Sequence, residues 1–204
     1  IFGKEERAEK LLEWWNGKWE FLRERMSNVA STVKLKIFIG MGFTQTDRLP
    51  THTWGKLAKW SYILNVSKLE NIAAEKLETH GELDLEYIAE ESPDIIIIGD
   101  WSDNWIGYTK NSTELADNMI AIVMGDPVLQ DVSAVRSGRV FIVHYILLGS
   151  FRSVIGAYYL AKVAYPEVFE DINPDQIHKE YFETWLGVPY RGIWFYPRPW
   201  LGEG

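Results

Sequence analysis

Four consecutive isoleucines, Ile95 to Ile98, constrain the fold of this chain more than any other feature. A strand with one solvated face alternates apolar and polar residues, whereas an unbroken β-branched run is typical of a strand covered on both faces. The run follows Pro93, and the residue before a proline is disfavoured in a helix, so a helix predicted over residues 83–91 ends there. The pattern therefore predicts a parallel sheet between two layers of helices.

Other segments extend this α/β pattern along the chain. Alternating apolar residues predict a strand from Leu35 to Ile39 that runs into a glycine-containing loop, and residues 139–143 predict a third strand. Further helices are predicted over residues 56–64, 111–123, 154–165 and 173–186, the third of them amphipathic. Alternating strands and helices give right-handed crossovers, so we expect a three-layer helix/sheet/helix fold with a mostly parallel, twisted sheet.

A long amphipathic helix is predicted in front of this α/β region, over residues 4–26. Its apolar residues recur at the spacing of one helical face: Leu11, Leu12, Trp15, Trp19 and Leu22. A polar break follows at residues 27–32. We therefore divide the chain into a helical segment, residues 1–30, and an α/β domain, residues 31–204.

Three loops follow the carboxyl ends of the predicted strands, at residues 40–54, 99–108 and 144–153. Ligands of open parallel sheets bind beyond the carboxyl ends of the strands, so we expect the loops to converge on one surface. Their aromatic side chains would form flat walls against a large ring-shaped ligand; they are Phe43, Trp101, Trp105 and Tyr145. Packing between the loops, or contact with a partner, is the alternative interpretation.

Polar side chains in the same loops are the other candidate ligand contacts. The planar guanidinium of Arg152 suits carboxylate, catecholate, hydroxamate or propionate oxygens. Its alternative role is that of a surface arginine that pairs with a glutamate or caps a loop carbonyl. Asp100, His52 and His144 are further candidates because they lie in these loops.

Composition excludes several classes of protein. The chain has 204 residues, 47% of them hydrophobic, which is enough for a core. None of its apolar runs reaches the roughly 18 residues that a membrane span needs. A net charge of −8 without a basic patch argues against nucleic-acid binding. The sequence begins at Ile1, so we expect any signal peptide or lipid anchor, and with it any membrane attachment, to lie outside this sequence.

Motifs for catalysis and for cofactor or metal binding are missing from the sequence. It contains no G-x-G-x-x-G, P-loop, G-x-S-x-G or H-E-x-x-H pattern and no cysteine. The four histidines are far apart in sequence, and a metal cage would have to be assembled from separate loops. We therefore predict neither an enzyme nor a cofactor, and no protein-only metal site.

Four phrases, in order, resemble the periplasmic binding proteins that deliver metal chelates to ABC importers. Residues 92–98 (SPDIIII) resemble the NPDVIIV segment of that family, and residues 126–140 hold DP and AVRSGRV, similar to its DP…AVKNGRVY. Residues 158–167 (YYLAKVAYPE) are similar to its YLAKLLYPE helix, and residues 178–187 to its closing helix. Together these segments extend the resemblance over most of the chain.

The resemblance implies two α/β lobes joined by one long helix. Residues 1–30 are then expected to be the interlobe helix and residues 31–204 the carboxyl-terminal lobe, with the amino-terminal lobe missing from this chain and acting as a partner. The location implied is the periplasmic or extracellular face of the membrane.

The function implied is capture of a ferric siderophore, haem or cobalamin and its delivery to ABC permease subunits. Arg152 is the position that the family pattern carries over as a ligand contact, and Glu114 and Glu167 are candidates for docking on the permease. Two alternatives stay open: a module that pairs with another lobe without a ligand of its own, and a chelatase-like enzyme on a similar scaffold. The enzyme would need His52 or His144 to titrate or to bind metal.

Overall fold

Two layers of helices enclose a five-stranded sheet in the computed structural model, which describes residues 3–30 and 34–201. The strands are β1 (Leu35–Gly42), β2 (His52–Trp54), β3 (Leu69–Asn71), β4 (His80–Glu82), β5 (Ile95–Asp100), β6 (Val140–His144) and β7 (Phe195–Tyr196). The main sheet has the order β3-β1-β5-β6-β7, and only β7 is antiparallel to its neighbour. β2 and β4 form a separate antiparallel ribbon. The predicted α/β class with a mostly parallel sheet is confirmed.

Helices cover both faces of the sheet. They are α1 (Glu5–Ser27), α2 (Ser61–Val66), α3 (Leu85–Glu91), α4 (Glu114–Met124), α5 (Ser133–Arg136), α6 (Ile146–Gly149), α7 (Ser153–Ala164) and α8 (Pro174–Glu180), with a π-helical turn at Tyr181–Leu186 and 3-10 turns at Ile72–Glu75 and Pro199–Leu201. α1, α2, α6, α7 and α8 pack on one face. α3, α4 and α5 pack on the other.

The isoleucine run of β5 shows why both faces must be covered. Ile95 and Ile97 belong to the core half under α7, whereas Ile96 and Ile98 belong to the half under α4. All four side chains are fully buried. Successive residues of a strand point to opposite faces, so four apolar residues in a row require two apolar layers.

The long amino-terminal helix packs on the α7 and α8 layer. Trp19, Leu22 and Met26 of α1 are buried, whereas Leu12 is 51% exposed, so the buried stripe is shorter than the predicted one. A bidentate ion pair holds the end of the helix. Nη1 and Nη2 of Arg25 donate to the two oxygens of the Asp171 carboxylate, at 2.8 and 2.7 Å. The boundary between residues 30 and 31 adjoins residues 31–33, which lie outside the described residues, and the two-part division stays a prediction.

Several elements differ from those predicted. The loop expected over residues 40–54 contains β2, whose buried Thr53 donates its hydroxyl to the Ile39 carbonyl at 2.6 Å. α2 and α4 begin later than predicted, at Ser61 and Glu114. α7 is not amphipathic: every residue after its first is buried, because α1, α8 and the carboxyl-terminal tail cover the side away from the sheet.

No helix among the described residues combines the length and the apolar character that crossing a bilayer requires.

Candidate functional site

The carboxyl ends of β1, β5 and β6 lie side by side and bring their three loops together. Gly42 is paired with Asp100, and Asp100 with His144, in the parallel register. Backbone hydrogen bonds continue this link just beyond the strands, from Trp101 N to the Gly42 carbonyl at 3.1 Å and from Tyr145 N to the Asp100 carbonyl at 2.9 Å. The convergence expected from the strand order is therefore present.

An aromatic shelf, made of Phe43, Trp101 and Tyr145, crosses this edge with one ring from each loop. The ring centroids are 5.6 Å apart between Phe43 and Trp101 and 3.7 Å apart between Trp101 and Tyr145. Phe43 is 43% exposed and Trp101 is 41% exposed, so much of the shelf faces solvent. Exposed apolar patches mark sites of interaction with ligands or partners, and aromatic side chains commonly line ligand sites.

Trp105 differs from the other aromatic candidates, because it is buried. Only 3% of it is exposed, and it packs in the core half under α4. Its six-membered ring lies against Gly42, where a Cβ would come within 2.4 Å of it. The prediction that Trp105 forms a solvent-facing wall is wrong for this structure, because the ring fills the space beneath β1.

Asp100 supports the second loop from inside. Its carboxylate is fully buried and accepts hydrogen bonds from the backbone N–H groups of Ser102, Asn104, Trp105 and Ile106, at 2.8 to 3.3 Å. A buried carboxylate satisfied in this way has little capacity left for a ligand. Asp100 therefore holds the shape of the second loop, and we do not expect it to contact a ligand.

His144 is engaged at both ring nitrogens. Nδ1 accepts a hydrogen bond from the Ile146 N–H at 3.3 Å, and Nε2 lies 2.7 Å from the Asp103 carboxylate. The acceptor role of Nδ1 places the proton on Nε2, which donates to Asp103. The ring also meets Trp194 edge-on, at 5.0 Å. His144 thus joins the second loop to the third loop.

His52 lies on β2, beside the shelf. Its ring is 5.3 Å from that of Phe43. A groove of about 560 Å³ extends from Phe43 past Arg48 and His52 to Glu82 and Glu86. The first of the three loops therefore has an open polar groove behind its aromatic residue.

Arg152 lies at the N-cap of α7, in a box of three aromatic rings. Its guanidinium carbon is 5.6 Å from the ring of Tyr181, 5.2 Å from Phe182 and 5.3 Å from Trp194. Its Nη1 is buried and has no hydrogen-bond partner among the described residues. The described residues give Arg152 no ion pair with a glutamate and place three aromatic rings beside its guanidinium, so the alternative of a surface arginine in such a pair does not match this geometry.

Sequence reasoning missed the part that the carboxyl-terminal tail plays at this edge. Backbone groups of Gly107 and Ile193 exchange two hydrogen bonds, at 2.7 and 3.1 Å, and His144 N donates to the Trp194 carbonyl at 3.0 Å. Trp194 is 5% exposed and belongs to the box around Arg152. The aromatic composition of the tail was the available signal, but it does not say which loop the tail contacts.

Beneath this box lies His178, which is fully buried. Neither of its ring nitrogens has a hydrogen-bond partner among the described residues. Burial, and next the positive charge of Arg152, hold the pKa of His178 well below its ordinary value. The ring is therefore neutral at physiological pH.

The two glutamates suggested for permease docking lie at opposite ends of the molecule. Exposed Glu114 begins α4, which follows the second loop at the carboxyl edge. Exposed Glu167 follows α7, whose end is held by Arg139, the residue before β6, at the amino edge. One flat docking surface would not hold both residues.

Among the described residues, no group of three or more His, Cys, Asp or Glu side chains is arranged to hold a metal ion.

Solved structures with the same fold are periplasmic binding proteins. FepB of Veillonella parvula, described as TroA-like, superposes with a TM-score of 0.83 at 23% identity, over 95% of this chain and 56% of that one. The molybdate-binding MolA of Haemophilus influenzae gives 0.69 at 16% identity, over 95% and 54%. CeuE of Helicobacter pylori with Ni(II) bound gives 0.67 at 21% identity, over 90% and 54%. The chain spans about half the length of each of these proteins.

No curated protein sequence matches the chain. The sequence model described as "Periplasmic binding protein" matches residues 1–146, well over half of the 204 residues. The order of motifs, the parallel sheet and the long preceding helix agree with that match. The chain belongs to the periplasmic binding protein family.

Proposed function

We propose that this chain is the carboxyl-terminal ligand-binding lobe, with the interlobe helix, of a solute-binding protein that captures a metal chelate for an ABC importer. The observation that carries the proposal is the aromatic shelf of Phe43, Trp101 and Tyr145, exposed where three loops meet. Flat rings bury large apolar area against a planar or macrocyclic ligand at little cost in conformational entropy. Family membership supports action at the periplasmic or extracellular face of the membrane.

Arg152 gives the proposed site a preference for anionic ligands. Its buried Nη1 has no acceptor among the residues that the structure describes, and an unsatisfied buried donor costs about 1–3 kcal/mol. A carboxylate, catecholate or hydroxamate oxygen would supply the acceptor. A ferric siderophore or haem, which carries such oxygens, would therefore bind more tightly than a neutral ring of the same size.

The proposed mechanism is capture and release, without a chemical step. The shelf replaces part of the hydration of the ligand, and a second lobe closes over the exposed side. Delivery then depends on docking to permease subunits, for which Glu114 and Glu167 stay the candidate residues. Because these residues lie at opposite edges, we expect at most one of them to contact a given permease subunit.

Tryptophan fluorescence of the full-length protein tests the proposal directly. We expect at least one member of a panel of ferric catecholate, ferric hydroxamate, haem, cobalamin and molybdate to quench the emission at saturating concentration. Trp101→Ala should weaken that binding by about 1–2 kcal/mol, roughly 5- to 30-fold, because it removes the central ring of the shelf.

Val128→Ala is the matched control, since Val128 is 42% exposed and lies before α5, at the amino edge of the sheet. Its affinity should equal that of the unmodified protein. No binding across the panel, together with a tight dimer in size-exclusion chromatography with light scattering, would favour the lobe-pairing alternative instead.

A further inference from the structure

The β2–β4 ribbon carries two histidines on one face. In its antiparallel register, Trp54 is opposite His80 and His52 is opposite Glu82. Residues two apart on a strand share a face, so all four side chains project to the same side. The two imidazoles are diagonal neighbours, with ring centroids 5.6 Å apart and ring planes at 88°.

These two histidines differ from the other two in the chain. Nδ1 and Nε2 of His144 are engaged by Ile146 and Asp103, and His178 is fully buried. No described residue hydrogen-bonds to a ring nitrogen of His52 or His80. Phe43 packs against the ring of His52 at 5.3 Å and Trp54 against that of His80 at 4.9 Å, so the described contacts of both imidazoles are with aromatic rings.

We propose that His52 and His80 form a two-imidazole site for a borderline divalent transition-metal ion such as Cu²⁺, Ni²⁺ or Zn²⁺, with water in the other coordination positions. Imidazole is a preferred ligand of these ions, with metal–nitrogen distances of about 2.0–2.1 Å. The χ2 torsion of histidine is broad, so both rings can turn a nitrogen toward one ion, and no hydrogen bond is lost in doing so. The inference does not depend on a chelate, because the bare ion is the ligand.

The charges around the ribbon favour a cation over an anion at this place. Glu82 is the cross-strand neighbour of His52, and Asp84 and Glu86 line the adjoining groove. Arg48 is the one lysine or arginine among the described residues that line the groove. The carboxylates therefore outnumber the guanidinium, and they lower the energy of a bound divalent ion by long-range attraction even where they do not coordinate it.

Copper titration with electron paramagnetic resonance tests the site on the full-length protein. We expect one equivalent of Cu²⁺ to bind with a spectrum that shows two equatorial imidazole nitrogens. His52→Gln and His80→Gln should each leave one nitrogen and lower the affinity at least about tenfold, while the double variant loses the site. Both side chains lie on the ribbon surface, so these variants should keep the circular dichroism spectrum of the unmodified protein.

His178→Phe is the matched control and should bind Cu²⁺ as the unmodified protein does. Single variants that keep both the affinity and the two-nitrogen spectrum would overturn the inference, and so would the absence of a stoichiometric site. Binding of the chelate panel by a protein whose copper site is absent would refute this inference and leave the proposed function intact.

Discussion

Asp100 sets the shape of the loop that carries Trp101. A single buried carboxylate accepts four backbone N–H groups within six residues of itself. Without these bonds the loop would leave several donors without partners next to the core. The buried Asp100 carboxylate therefore fixes the loop backbone that holds Trp101 at the surface.

We expect Asp100→Asn to lower the free energy of unfolding by about 2–4 kcal/mol, because an amide NH₂ would face the N–H groups of Trp105 and Ile106. Urea denaturation measures the loss. Asp131→Asn, at an exposed position, should stay within about 0.5 kcal/mol of the unmodified protein. Equal stability of the two variants would show that the loop keeps its shape without the carboxylate.

Trp101 and Trp105 show what sequence could and could not say about single residues. Both follow the same strand in a loop without periodicity, yet one is 41% exposed and the other 3%. Position after a strand end predicts the edge on which a side chain lies. It does not predict whether the side chain turns outward, since that depends on the space beneath Gly42, which belongs to another strand.

The central strands were predicted because each is a long apolar run. The short strands were not predicted because their sequences carry no such pattern. β1, β5 and β6 are apolar runs whose burial is fixed by composition. β2, β3, β4 and β7 have two or three residues each, and they become strands only by pairing with distant segments. Whether a short segment forms a strand depends on its cross-strand neighbours more than on its own residues, so its sequence alone does not predict it.

α7 was predicted to be amphipathic and has no polar face, because α1, α8 and the carboxyl-terminal tail cover the side away from the sheet. It also packs on α6 with no space between backbones: a Cβ at Gly156 would lie 1.9 Å from the Leu147 carbonyl oxygen. A glycine inside a helix normally costs about 1 kcal/mol relative to alanine. Here the close contact requires it.

Two glycine substitutions therefore should have opposite effects. Gly156→Ala is expected to destabilise the protein by about 1–3 kcal/mol, because α6 and α7 must move apart. For Gly17→Ala in α1, no atom of the described residues lies within 4 Å of the added Cβ, so this variant should be more stable by about 0.5–1 kcal/mol. Thermal unfolding of both variants provides the comparison, and stabilisation by Gly156→Ala would mean that the two helices are not in contact.

The carboxyl-terminal tail joins distant parts of the molecule into one structure. The Asp175 carboxylate accepts hydrogen bonds from Tyr159 at 2.8 Å, Tyr190 at 3.1 Å and the Trp200 indole at 2.9 Å. One buried acceptor thus connects α7, α8 and the tail. The tail also forms backbone hydrogen bonds with Gly107, in the second loop of the candidate site. The tail therefore connects that loop to the helix layer formed by α7 and α8.

Titratable groups in this shared region make the stability of the whole molecule depend on pH in both directions. Burial lowers the pKa of His178 well below its ordinary value. Burial also raises the pKa of Tyr159 and Tyr190 above theirs, and the Asp175 carboxylate adds to both shifts. In each case the folded state favours the neutral form, while the unfolded chain takes up or releases the proton at the ordinary value.

The free energy of unfolding should therefore be highest between about pH 6.5 and 10, the unfolded values of histidine and tyrosine. As pH falls below about 6.5, the unfolded chain binds a proton that folded His178 rejects, which costs up to about 1.4 kcal/mol per pH unit. As pH rises above about 10, unfolded tyrosines ionise before Tyr159 and Tyr190 do, and stability falls again. His178→Phe should flatten the change between pH 6.5 and 5 and leave the alkaline decline unchanged. Val128→Ala, at a position that is 42% exposed and carries no titratable group, should alter neither slope. Urea denaturation across this pH range measures both slopes. An acid slope that persists in His178→Phe would assign the loss of stability to other groups and contradict the role given to His178.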